Sequence, residues 1–78
     1  MNTEAAIKSK IDQARPFDEL VKILLEFKKN GGSQQEAIAF LEHLLSEYWQ
    51  AELEEREEVV MDLLDRATGF THDSKKIW

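Results

Sequence analysis

The heptapeptide Asn30-Gly31-Gly32-Ser33-Gln34-Gln35-Glu36 constrains this chain more than any other feature, because it ends one helix and begins another. Glycine enters the left-handed backbone region without a Cβ penalty, and so satisfies the last carbonyls of a preceding helix. Ser33 and Glu36 stand at capping-box spacing: the serine oxygen accepts from a first-turn amide while the glutamate reaches back to the Ser33 amide. Both flanks are amphipathic at the helical period. Upstream, Phe17, Leu20, Val21, Leu24, Phe27 and Lys28 share one face of a helix predicted over 17–29. Asp18 and Glu19 complement its positive end, and Lys28 and Lys29 its negative end. Downstream, Ala37, Ile38, Leu41, Leu44, Leu45 and Tyr48 share one face of a helix predicted over 34–49. Packed across the glycine turn, the two would form an antiparallel hairpin.

Two more helices are predicted from weaker punctuation. The first, over 3–14, starts at Asn2 or Thr3 and places Ile7, Ile11 and Ala14 on one stripe. Pro16 closes it, since the residue before proline is pushed out of the helical region. The last, over 54–67, carries Val59, Val60, Leu63, Leu64 and Ala67 inward and stops at Thr68-Gly69. Positions 50–58 contain neither Gly nor Pro, so two readings stand: a break near Gln50 to Leu53, or one long helix from Gln34 to Arg66. A bundle of short helices needs a reversal there, and clustered Glu suits a new first turn, so the break is preferred. In the tail, 69–78, Phe70, Ile77 and Trp78 are too apolar to hang free and are expected to fold back. The fold class is therefore all-α, a small antiparallel bundle of three to four helices with a short folded-back C-terminal tail.

Seventy-eight residues provide one domain, and 42% apolar against 33% charged residues place it outside the composition of disordered chains. Without cysteine, neither disulfides nor thiolate zinc sites can hold it, so burial must. The N-terminal sequence lacks a basic segment followed by an apolar run, and no stretch suits a membrane span, which gives a cytoplasmic expectation. A net charge of −6 disfavours nucleic acid and anionic membrane as partners and favours a basic protein.

Catalytic chemistry finds little to work with. Acid/base catalysis needs two carboxylates held in a cleft with separated pKa values, whereas the Glu52 to Glu58 run has the pattern of a solvated face. His43 could join Glu42, Glu47 or His72 around a metal, but the repeated Glu-x-x-His of di-metal bundles is missing. Ser33 is accounted for by capping, and Gly31-Gly32-Ser33 lacks the spaced glycines and lysine of a phosphate loop. No catalytic residue, metal ligand or cofactor is expected.

Tyr48 and Trp49 are consecutive, so both cannot face one core: one seals the end of the bundle or anchors an interface. Five Glu in the seven positions 52–58, followed by Asp62 and Asp65, exceed what solubility requires. Charge density and aromatic placement together nominate Trp49, Glu54, Glu55, Glu58, Asp62 and Asp65 as partner-binding residues. The alternative is a self-associating structural or regulatory module, a homodimer joined through Ile23, Leu25, Phe40 or Leu53.

Size, acidity and two local features resemble the bacterial immunity proteins that neutralise nuclease toxins in the colicin and contact-dependent inhibition systems. The features are the helix start Gly31-Gly32-Ser33-Gln34-Gln35-Glu36-Ala37 and the ending Asp65-Arg66-Ala67-Thr68-Gly69-Phe70 with Lys75-Lys76-Ile77-Trp78. The resemblance implies a toxin inhibitor that works by occlusion: a rigid acidic face binds a basic toxin domain and covers its nucleic-acid site or an adjacent surface, without turnover.

Overall fold

The computed structural model describes residues 3–69 and 77–78. Four helices follow one another, α1 (Thr3–Asp12), α2 (Phe17–Lys29), α3 (Gln34–Gln50) and α4 (Glu54–Thr68), and there is no strand among the described residues.

The first three helices end on the same backbone device. After α2, Gly31 takes φ +93°, its N–H donates to the Lys28 carbonyl at 3.0 Å, and the Gly32 N–H donates to the Phe27 carbonyl at 2.8 Å. That crossed pair is the Schellman motif, which satisfies carbonyls the helix cannot reach itself. After α1 the left-handed position is Ala14 (φ +55°), and after α3 it is Glu52 (φ +58°), with equivalent bonds to Ile11 and Lys10 and to Trp49 and Tyr48. Hence α1 stops at Asp12 instead of reaching Ala14, because Ala14 has already left the helical region. The chain also reverses at Ala51 to Leu53, so α3 and α4 are separate helices. Ser33 begins α3 with both capping-box bonds, accepting from the Glu36 amide at 3.1 Å while the Ser33 amide donates to the Glu36 carboxylate at 3.3 Å.

The inward stripes meet as one core: Ile7 and Ile11 of α1, Leu20 and Leu24 of α2, Ala37, Leu41, Leu44 and Tyr48 of α3, and Val60, Leu63 and Ala67 of α4. Each large aliphatic side chain so buried contributes roughly 1.5–3 kcal/mol relative to exposure. Ile38, Leu45, Val59 and Leu64 flank this centre, half-buried.

The dominant helix pair corrects the hairpin expectation. The closest packing is α3 on α4, then α1 on α2, whereas α2 and α3 approach least closely of all the helix pairs. Between α2 and α3, Phe27 meets Phe40 edge to face with centroids 5.3 Å apart. Gly32 lies so near the Phe27 ring that a Cβ there would collide with it. Polar contacts fix the directions. Gln34 Nε2 donates to the Ala67 carbonyl at 2.8 Å, joining the start of α3 to the end of α4. Glu4 meets His43 and Lys8 meets Glu47, so α1 and α3 run the same way, as alternation in an antiparallel bundle requires.

Ile77 completes the core at 4% exposure. Its N–H donates to the Arg66 carbonyl at 3.1 Å and its carbonyl accepts from Lys28 Nζ at 2.6 Å, while the Trp78 ring stands 6.4 Å from Phe27. Lys28, placed on the inward stripe by its spacing, is instead exposed along its stem and turns its ammonium to that carbonyl. Phe70, like the rest of 70–76, lies outside the described residues.

Candidate functional site

With Val60, Leu63 and Ala67 committed inward, the geometry of α4 dictates what faces out. Residues at i, i+4, i+7, i+8 and i+11 share one side of a helix, and Glu54, Glu58, Met61, Asp62 and Asp65 are all exposed there. The α4 start has no side-chain cap; Glu54, Glu55 and Glu57 in the first turn supply negative charge to its positive end instead. None of the carboxylates of Glu54, Glu55, Glu57, Glu58, Asp62 or Asp65 has an ion-pair or hydrogen-bond partner among the described residues.

The α3–α4 corner adds an aromatic to this face. Tyr48 is buried at 3% exposure and Trp49 is 69% exposed, which separates the consecutive rings into one core residue and one surface residue. Trp49 lines a recess of about 750 Å³ with Gln50, Glu52, Glu54 and Glu57. Trp49 and Glu54, both nominated from the sequence, therefore border one recess, and Glu58, Asp62 and Asp65 continue from Glu54 along the helix. Glu55 lies about 100° further round the helix. It lines a second cleft, about 310 Å³, with Ile11, Arg15 and Val59 at the α1 side. Glu52 and Glu57 belong to the recess although sequence reasoning passed over them. Their signal was the glutamate run itself, which could not be assigned to faces until the reversal at Glu52 was fixed. Met61 was missed for the same reason and is half-exposed among the carboxylates.

Several charges elsewhere are paired. His43 Nδ1 lies 2.7 Å from Glu4 Oε1 and its Nε2 lies 3.9 Å from Glu47, which also meets Lys8 at 3.7 Å. The hydrogen bond to Glu4, then the nearby charges of Glu4 and Glu47, raise the His43 pKa. Tyr48 Oη donates to Asp12 at 3.1 Å, and Arg56 Nε lies 3.6 Å from the same oxygen. Burial, reinforced by that hydrogen bond, pushes the Tyr48 phenol upward, so it stays protonated and acts as a structural donor. Among the described residues, no three His, Asp or Glu side chains converge to hold a metal; His72 lies outside them.

Of the residues nominated for self-association, Ile23, Phe40 and Leu53 are half-buried against the core and Leu25 is 46% exposed. A further recess of about 580 Å³ between α1 and α2 carries Lys10 and Lys22 beside Ile23 and Phe27, and none of the nominated partner residues. No described helix is long and apolar enough to cross a membrane. None of the protein-family models, curated proteins or solved structures compared with the chain matches it.

Proposed function

We propose that this domain is a non-catalytic protein-binding module of the immunity type, which neutralises a basic nuclease toxin in the cytoplasm by covering it with the outer face of α4. The observation that carries the reading is the row of unpaired carboxylates Glu54, Glu58, Asp62 and Asp65 on a single helix face. Carboxylates in internal ion pairs have their fields largely neutralised, whereas an unpaired row projects a potential that steers a cationic surface and selects against an anionic one. A nuclease surface that binds phosphates is the complement of such a row. Met61 within it and Trp49 at its end supply the apolar contact that charge alone does not provide. A helix already folded and packed loses little conformational entropy on binding.

The test is affinity capture from producing cells at low and high salt, followed by titration of the recovered protein's nuclease activity with the purified domain. Stoichiometric inhibition, with association slowed by salt, is the expected result. Replacing Glu58, Asp62 and Asp65 together by lysine should weaken capture on the order of a hundredfold while leaving the circular dichroism melt in place. Capture of the same partner at wild-type strength by that triple variant would overturn the reading.

A further inference from the structure

The indole of Trp49 is the most exposed large apolar side chain among the described residues. Its neighbour Tyr48 is buried and hydrogen-bonded, yet Trp49 stays 69% exposed at a corner whose other lining side chains are one amide and three carboxylates. Among the described residues, no basic side chain lines that recess. Lys8, Arg15 and Arg56 are engaged elsewhere, with Glu47, Glu19 and Asp12.

We propose that the α3–α4 corner is a receptor for an arginine side chain of the partner, its guanidinium lying on the Trp49 indole with Glu52, Glu54 and Glu57 around its edge. This rests on the reading of α4 as the partner-binding face and names the side chain that the end of that face accepts. A cation over an indole is drawn to the negative face of the ring, and Trp is the strongest of the aromatic acceptors. The chain satisfies the same chemistry internally once, with the Arg66 guanidinium 4.8 Å from the Phe17 ring centroid. The carboxylates do not converge as metal ligands would. Lining one recess with the indole, they suit a broad, delocalised cation instead. Arginine fits better than lysine because its planar group stacks on the indole while its five N–H donors reach more than one carboxylate, whereas an ammonium is compact and strongly hydrated.

The experiment is a titration of the intact, ¹⁵N-labelled chain with blocked glycine-spaced peptides carrying arginine, lysine or neutral citrulline, read at the indole Nε1–H signals. The Trp49 signal is assigned by its loss in Trp49→Phe, and Trp78 serves as the internal reference. The arginine peptide should shift Trp49 saturably and leave Trp78 in place, the lysine peptide should bind several-fold more weakly, and the double change Glu54→Gln with Glu57→Gln should weaken arginine binding by about tenfold. No shift, an equal shift from citrulline, or a shift produced by raising the protein concentration alone would overturn the proposal; the last would assign the corner to a second copy. The wider reading fails separately. If the lysine triple at Glu58, Asp62 and Asp65 captures the partner normally, the α4 face is wrong while the arginine receptor stands. If Trp49→Ala captures it normally, the arginine receptor is wrong while the face stands.

Discussion

The α2–α3 corner and the α3–α4 corner use one backbone device and finish it in opposite ways. At the first, glycine occupies the left-handed position and the adjacent aromatics turn inward, Phe27 against Phe40. At the second, a glutamate occupies that position and the adjacent indole turns outward. A non-glycine residue held there costs about 1–2 kcal/mol. The corner that is purely structural avoids this cost, and the corner that borders the candidate binding face bears it while keeping a carboxylate beside Trp49. Conformational ease and exposed chemistry are thus separated between two neighbouring turns.

The comparison breaks hardest at Gly32. In Gly32→Ala the new Cβ collides with the Phe27 ring, which Phe40 and Trp78 hold on two other sides, so the aromatic cluster must shift. A loss of about 1–3 kcal/mol in urea denaturation is expected, and a neutral result would show that the ring cluster is not what shapes this corner. The opposite sign is expected at the second corner. Glu52→Gly relieves the left-handed strain but adds freedom to the unfolded chain, leaving a net gain of about 0.5–1 kcal/mol. A destabilised Glu52→Gly would mean that the glutamate contributes to folding something beyond its backbone.

The smallest effect belongs to a control site distant from both corners, the seam between α1 and α3. Because the folded His43 pKa is raised above its unfolded value of about 6.5, its pairing with Glu4 stabilises fully below that value and fades as pH rises through the folded pKa. Urea midpoints of wild type and His43→Gln should accordingly differ in mild acid and converge in mild base. His43 is 62% exposed, so the difference is small, and one that widened with pH would reverse the assigned linkage.

The capping box at Ser33 and the stop at Gly31 were legible because their residue types permit little else at those spacings. The turn at Glu52 was legible only as a preference: clustered Glu favoured a break with a new first turn over a continuous helix, but no Gly or Pro marks a backbone conformation that glutamate seldom adopts. The face of every glutamate after it therefore stayed unassigned. The pairing of helices was also hidden, because amphipathic stripes state which side is buried but not against which partner. The α2 stripe fitted an α3 neighbour as well as an α1 neighbour, and in the fold it packs more closely on α1. At the site, Trp49 and Glu54 could be grouped by proximity in sequence, while Glu55 shares the charge of Glu54 but not its side of the helix.

Ile77 packs in the same core as Ile7, so the hydrophobic centre draws on both ends of the described chain. A growing polypeptide emerges N-terminus first at roughly 5–20 residues per second. The bundle therefore lacks one of its core side chains until residue 77 is free of the ribosome. A message truncated upstream of that codon would yield a chain whose core is one side chain short.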